Sequence, residues 1–297
     1  MPELPEVETI RRGLGPGVAG AQIENILQRR KDLRFAFPEH FEERLSGQTI
    51  VSVGRRAKYL LFSLSGGETM LSHLGMTGNY RFVDSDLATP SHYQQPTRVQ
   101  KHDHLILYLD RAGTKTALIY SDPRRFGFME MLRDPSQSRF LAKLGPEPLG
   151  NAMTAQSLAD RFAQRRIPVK SALLDQSIIA GLGNIYVSEA LWRAGIKPDC
   201  PINALVWGTG APSHELETLT RCIRDVLNDA IIAGGATLRD FKNTEGDDGY
   251  FQHLFDVYDR EGQVCRKKGC PGLVRRMVQS GRSSFYCDTC QYWPDRK

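Results

Sequence analysis

With 297 residues, 39 basic and 34 acidic side chains and a net charge of +5, the chain is long enough for more than one buried core. It holds no apolar run near the roughly 20 residues of a membrane span and does not open on the basic-then-apolar pattern of a secretory signal, so a soluble cytoplasmic protein that enters no membrane is expected. The excess charge sits at one end: residues 260–297 carry nine Lys or Arg against three Asp or Glu, which suits a polyanionic partner once a fold gathers it on one face.

The first residues are Met1-Pro2-Glu3-Leu4-Pro5-Glu6-Val7-Glu8. Pro2 is small enough that removal of Met1 is expected, which leaves a secondary amine at the end of the chain. An α-amine titrates at about 7.7–8.0, against about 10.4 for lysine, so far more of it is free base at neutral pH. Such an amine can attack an electrophilic sugar carbon and pass through an iminium. Glu3 stands beside it, where a general acid would be wanted. The same residues also read as a plain helix start, with Pro5 near the first helical position and Glu6 and Glu8 in the first turn.

Residues 5–14 predict a short helix, with Val7, Ile10 and Leu14 at helical spacing and Gly15-Pro16-Gly17 as its stop. Short runs rich in Val, Ile, Leu, Tyr and Phe predict strands at 50–53, 59–64, 69–74, 105–109, 117–120 and 126–132, with turns at Gly66-Gly67 and Ala112-Gly113. Strands at such intervals suggest an antiparallel sandwich. The polar stretch 85–98, with two prolines, reads as a surface loop, and 134–151 has the Pro and Gly content of an interdomain hinge. Beyond it, helices are predicted at 154–165, 184–194 and 213–233. The last has Leu216, Leu219, Ile223, Val226, Leu227, Ala230 and Ile231 on one broad face and Gly234-Gly235 as its stop. Residues 237–252, rich in Asp, Gly and Asn, read as a long exposed loop.

Of six cysteines, four fall near the end: Cys265, Cys270, Cys287 and Cys290, spaced as C-x4-C, sixteen residues, then C-x2-C. Two close pairs around a hairpin-length segment suit a tetrahedral tetrathiolate zinc site, one structural ion per chain, and a cytosolic setting disfavours disulfides. Strands at 274–279 and 283–286 would pair around Ser280-Gly281-Arg282, with Arg282 at the tip and Arg266, Lys267, Lys268, Arg275 and Arg276 on the body. That arrangement suits a phosphate backbone. Cys200 and Cys222 stand alone and read as small core hydrophobes.

Taken together, these features resemble bacterial formamidopyrimidine-DNA glycosylases, which excise oxidised purines and cut the strand. The resemblance runs nearly end to end: PELPEVE at the start, GRRAKYLLF around Lys58, HLGMTG at 73–78, KHDH at 101–104, DPRRFG at 122–127, LLDQSIIAGLGNIYVSEALWRAGI at 173–196, GGATLRDF at 234–241, and the terminal ribbon. One departure is the first cysteine pair, which in the family is often C-x2-C; four intervening residues stay within ordinary zinc-ligand spacing.

The resemblance implies an α+β multidomain fold: an N-terminal helix with a catalytic β-sandwich over 1–133, a hinge over 134–151, a helical helix–two-turn–helix domain over 152–254, and a zinc finger over 255–297. It makes Pro2 the nucleophile at the anomeric carbon and Glu3 the proton donor to the sugar ring oxygen, with Glu6 positioning the terminus. Lys58 would act in base loss and strand cleavage, and Arg282 in the last elimination and in phosphate binding. Met76, Arg124 and Phe126 match the family's three void-filling residues. His102, Arg124, Arg125, Arg165, Lys170 and Asn184 are the implied DNA contacts, with Gly181-Leu182-Gly183 offering turn amides to a phosphate. Residues 237–252 resemble the family's cap over the extruded purine. The implied partner is duplex DNA with an oxidised purine, preferentially opposite cytosine, and the implied protein is a monomer at the bacterial nucleoid. Two other readings stand beside this one: the sister enzyme for oxidised pyrimidines, and a non-catalytic zinc-ribbon DNA-binding protein.

Overall fold

The structure, a computed structural model, describes residues 1–83, 100–162, 165–236 and 249–294. The loop expected at 85–98 and residues 237–248 of the expected cap lie outside these, as do 163 and 164 in the expected helix 154–165. The chain forms two compact units, residues 1–142 with 233–250, and residues 143–232 with 251–297. This division differs from the expected boundaries. Residues 134–142 stay with the first unit, where the Phe140 ring lies 4.3 Å from that of Phe128 and Ser138 Oγ donates to Glu130. The cysteine hairpin belongs to the second unit, because Trp192 shares a core with Val257, Cys265, Val274, Phe285 and Cys287.

In the first unit, helix α1 (Leu4–Val18) runs past the expected stop. Pro16 removes a single donor in the last turn, and the Ala19 N–H still reaches Gly15 O at 3.1 Å. Gly17 is needed for packing, since a Cβ there would sit 2.4 Å from the Phe82 ring. The strands are β1 (Gln22–Gln28), β2 (Ile50–Arg56), β3 (Tyr59–Leu64), β4 (Thr69–His73), β5 (Asn79–Val83), β6 (Asp103–Arg111), β7 (Thr114–Ser121) and β8 (Phe128–Leu132), with a short helix α2 (Phe41–Leu45) after β1. They form two antiparallel four-stranded sheets, ordered β1-β6-β7-β5 and β2-β3-β4-β8.

Alternation places Leu60, Phe62 and Leu64 of β3 and Leu105, Leu107 and Leu109 of β6 in one core with Val7, Ile10 and Leu14 of α1. The antiparallel sandwich with its N-terminal helix is therefore as expected. The strands without a sequence signal, β1 and β5, are the two edges of one sheet, and β1 buries only two of its seven residues.

The second unit holds α3 (Ala155–Phe162), α4 (Val169–Leu174), α5 (Asn184–Ala194) and α6 (His214–Ile232). Helix α5 ends on Gly195 in the left-handed region, φ 73°. Glu189 of α5 is buried and its carboxylate accepts the N–H groups of Asp256, Val257 and Tyr258 at 2.8–3.0 Å, tying the helix to the segment that enters the hairpin. Strands β9 (Val274–Gln279) and β10 (Arg282–Cys287) pair around Ser280 and Gly281, both at positive φ, the mark of a two-residue turn matched to strand twist. Arg282 is the exposed first residue of β10, opposite Gln279.

Candidate active site and nucleic-acid surface

Helix α1 begins on a capping box in which Glu3 is the N-cap and Glu6 stands three residues on. Glu6 Oε2 accepts the Glu3 N–H at 2.8 Å, and its Oε1 accepts the Ala236 N–H at 2.9 Å, from a residue 230 positions later. Pro2, Glu3 and Glu6 are buried, whereas Met1 is exposed, so removal of Met1 uncovers the Pro2 nitrogen without opening the core. With Met1 attached that nitrogen is an amide; without it, the nitrogen is an amine beside a buried carboxylate.

Lys58 is buried and occupies the second position of the two-residue turn between β2 and β3, where Arg56 pairs with Tyr59. The first position, Ala57, has φ 52°. Arg55 Nη1 donates to the Ala57 carbonyl at 3.0 Å, and its Nε donates to Glu8 Oε2 at 3.0 Å. Glu8 also accepts from Arg11 and Arg12 of its own helix. Burial pulls the Glu8 carboxyl upward, but Arg11, Arg12 and Arg55 outweigh it and hold the group down to about 2 from 4.5.

A depressed acid stabilises the fold above its ordinary pKa, and that stability is lost as pH falls through the folded value. Wild type should therefore lose on the order of 3 kcal/mol more than Glu8→Gln between pH 4.5 and about 2. Denaturant melts of both proteins across that window test this; parallel curves would refute it.

Opposite Tyr59 stands His73, whose ring stacks on Phe128 at 5.2 Å. Burial, then the Lys58 and Arg34 charges, push its pKa down to about 4, so the ring is neutral at pH 7. Its Nδ1 accepts the Gly75 N–H at 3.1 Å and holds the start of the turn that carries Met76.

That turn and the DPRRFG loop are locked together. Asp122 is fully buried; Oδ1 accepts from Thr77 Oγ1 at 2.6 Å and Oδ2 from the Gly127 N–H at 2.8 Å, while Thr77 Oγ1 accepts the Arg124 N–H at 3.1 Å. A Cβ on Gly75 would come within 2.3 Å of Gly127 N, so only glycine permits the two backbones to approach. The loop thereby presents Met76, 38% exposed, and Phe126, 43% exposed, with the Arg124 guanidinium 4.9 Å from the Phe126 ring centre. Exposed apolar side chains on a scaffold this rigid are unusual for a core role and suit insertion into a base stack. Arg125 is exposed with φ 57°, and the His102 carbonyl accepts the Asp122 N–H at 3.0 Å, which fixes His102 at the loop's base.

The motif pattern does not single out Asp122 and Thr77. The available signal is that Asp122 follows Tyr120 at strand spacing on an inward position, where a carboxylate needs dedicated donors.

In the second unit, Gln176 pins the turns between α4 and α5: its Oε1 accepts the Gly181 N–H at 2.9 Å and its Nε2 donates to Leu174 O and Leu182 O. Asn184 opens α5 and donates from Nδ2 to Ser283 O at 3.0 Å, leaving its Oδ1 buried without a partner among the described residues. Lys170, expected at a phosphate, lies beneath the surface. It is 1% exposed, and its ammonium donates to Ser283 O and Ser284 Oγ at 2.7 Å, so it braces β10 beside Arg282. Arg165 is exposed.

The four Sγ atoms of Cys265, Cys270, Cys287 and Cys290 lie within 4.8 Å of one another, with 3.7 Å between Cys265 and Cys290 and 3.6 Å between Cys270 and Cys287. A tetrahedral tetrathiolate site with bonds of about 2.3 Å has edges of about 3.8 Å, so the set fits a metal ion such as zinc.

Among the described residues no helix is long and apolar enough to cross a membrane. Residues 1–129 match the formamidopyrimidine-DNA glycosylase N-terminal domain and residues 144–242 the formamidopyrimidine-DNA glycosylase H2TH domain. The chain is 52% identical over 300 residues to the formamidopyrimidine-DNA glycosylase of Rhizobium leguminosarum bv. trifolii and 51% identical over 297 residues to that of Agrobacterium fabrum, covering 98% of this chain and 100% of each relative. Among solved structures, a Lactococcus lactis FPG mutant with a Fapy-dG containing DNA has a TM-score of 0.83 at 31% identity, over 98% of this chain and 99% of that one. The Lactococcus lactis Fpg with an abasic site containing DNA has a TM-score of 0.81 at 32% identity, over 97% and 99%. The sequence relatives, both domain matches and the shared fold agree, and the chain belongs to the formamidopyrimidine-DNA glycosylase family, as an enzyme acting on DNA.

Proposed function

We propose that the chain is a bifunctional glycosylase and abasic-site lyase that removes oxidised purines, 8-oxoguanine and formamidopyrimidines, from duplex DNA opposite cytosine. The observation that carries this reading is the start of the chain: a proline whose nitrogen becomes a secondary amine on removal of Met1, buried beside Glu3, with Glu6 gripping the Glu3 amide at 2.8 Å. The Lactococcus lactis complexes with Fapy-dG and abasic-site DNA support the substrate class.

The Pro2 lone pair attacks C1′ of the damaged nucleotide. The glycosidic bond breaks, the departing base takes its electron pair and the proton given up by the Pro2 nitrogen, and Glu3 protonates the ring oxygen as the sugar opens. The resulting iminium acidifies the adjacent C2′ protons. Loss of one expels the 3′ phosphate, and a second elimination expels the 5′ phosphate. Lys58 serves base loss and the first cleavage, and Arg282 holds phosphate in the last.

Reaching the damaged base requires flipping it out, at about a few kcal/mol. Met76 and Phe126 fill the gap, and Arg124 hydrogen-bonds the orphaned cytosine. His102, Arg125, Arg165, Asn184 and the amides of the turn at Leu182-Gly183 contact phosphates, the Gly181 N–H being held by Gln176. Cys265, Cys270, Cys287 and Cys290 hold one zinc ion, which cross-links the hairpin, and the protein works as a monomer.

The test is borohydride reduction during turnover on a duplex with 8-oxoguanine opposite cytosine, with the adduct mapped by mass spectrometry. A covalent bond at Pro2, and slower release of thymine glycol than of 8-oxoguanine, are expected. An adduct at another residue, or none, would overturn the mechanism.

A further inference from the structure

The Glu8–Arg55 pair forms a bridge that the chemistry described above does not use. It starts on α1, the helix whose first residues are the reacting ones, and ends on the backbone carbonyl immediately before Lys58. Ala57 is fully buried and adopts a left-handed conformation that costs any residue with a Cβ, so the turn needs an external hold. Arg55 is a suitable clamp, because its side chain is 12% exposed and its planar fork donates from Nε to Glu8 and from Nη1 to Ala57 O.

The remaining Glu8 partners differ in kind. Arg12 is 59% exposed and closes only a local contact one helical turn away.

We propose that Glu8 and Arg55 are positioning residues, a tie-bar that fixes the Lys58 turn against the helix bearing Pro2 and so sets the lysine's reach to the reacting sugar. This rests on the role given to Lys58 above. Because Glu8 stays ionised down to about 2, the tie-bar holds across the whole neutral range.

The test is Arg55→Lys, which keeps the positive charge but loses the fork. Single-turnover release of 8-oxoguanine should fall about 10- to 100-fold, the scale of a small misplacement of a reacting group. Binding to a duplex with a non-cleavable abasic analogue should stay within about threefold, since phosphate contacts dominate it. Arg12→Ala, which removes one Glu8 contact and leaves the bridge, should keep wild-type rates. In a Lys58→Met background, Arg55→Lys should have no further effect on rate, the non-additivity expected of residues acting through one another.

An Arg55→Lys rate equal to wild type, or an effect that persists undiminished without Lys58, overturns the proposal. If Arg55→Lys melts early, its rates are taken well below its melting temperature, where the variant is folded. The same split between rate and binding supports the tie-bar, and wild-type rates overturn it. Borohydride trapping of the wild-type chain separates the two levels: normal trapping with an indifferent Arg55→Lys removes only the tie-bar, whereas no trapping removes the lysine's assigned role with it.

Discussion

Replacing Pro2 with glycine is expected to lower base release and borohydride trapping by about 100-fold, roughly 2.7 kcal/mol at the barrier, while leaving affinity for lesion DNA nearly unchanged. The substitution is severe even though glycine also offers a terminal amine. A secondary amine gives an iminium that carries its positive charge at every pH. A primary amine gives an imine that withdraws electrons strongly only while protonated. The ring also ties the nitrogen to a buried side chain, whereas a glycine terminus has more freedom to lose at each encounter. Binding should survive because the exposed Met76, Arg124 and Phe126 and the basic hairpin are untouched. Paired single-turnover and equilibrium-binding measurements check this, and unimpaired base release by the variant would remove Pro2 from the mechanism.

Cys287→Ser should release the metal and weaken DNA binding by about 100-fold, roughly 2.7 kcal/mol. Besides its cysteines, the hairpin is held by hydrogen bonds from Lys170 and Asn184 to β10 and by a small apolar core. Its core is Val257, Val274, Phe285 and the Trp192 ring, closed by Cys265 and Cys287, and Trp192 Nε1 donates to Cys265 Sγ at 3.3 Å. Structural zinc in isolated fingers supplies on the order of 10–16 kcal/mol of folding energy, far more than so small a core can replace. Losing the hairpin disperses the exposed Arg275, Arg276 and Arg282, so the dependence of affinity on salt should also become shallower. Zinc released on mild denaturation, counted per chain, and binding at several salt concentrations test this. Retained zinc with unchanged affinity would show that the fourth thiolate is dispensable.

Legibility of the fold followed burial. Strand β3 and helix α5 begin and end where periodicity places them, because β3 alternates Leu60, Phe62 and Leu64 against a core and α5 stops on a glycine in the left-handed region. The edge strands β1 and β5 carry weak alternation, since an edge answers partly to water, and the six-residue α4 is too short to show a period. Gly15-Pro16-Gly17 reads as a stop, yet α1 continues through it because its last turn tolerates a missing donor.

At the candidate site, residues in motifs could be picked out by type, but not the groups that hold them. Asp122, Thr77 and Arg55 act through hydrogen bonds between segments far apart in the chain, which no local pattern encodes. Lys170 shows the converse, since the resemblance gives it as a phosphate contact and no local pattern shows its burial against Ser283 and Ser284.

The bond from Glu6 to the Ala236 amide has a consequence for biosynthesis. The amine end leaves the ribosome first, but an amide that donates to the nearby Glu6 carboxylate arrives only after more than two hundred further residues have been translated. A nascent chain therefore carries an unfinished reaction centre for most of its synthesis, and a fragment ending at residue 142 can never complete it.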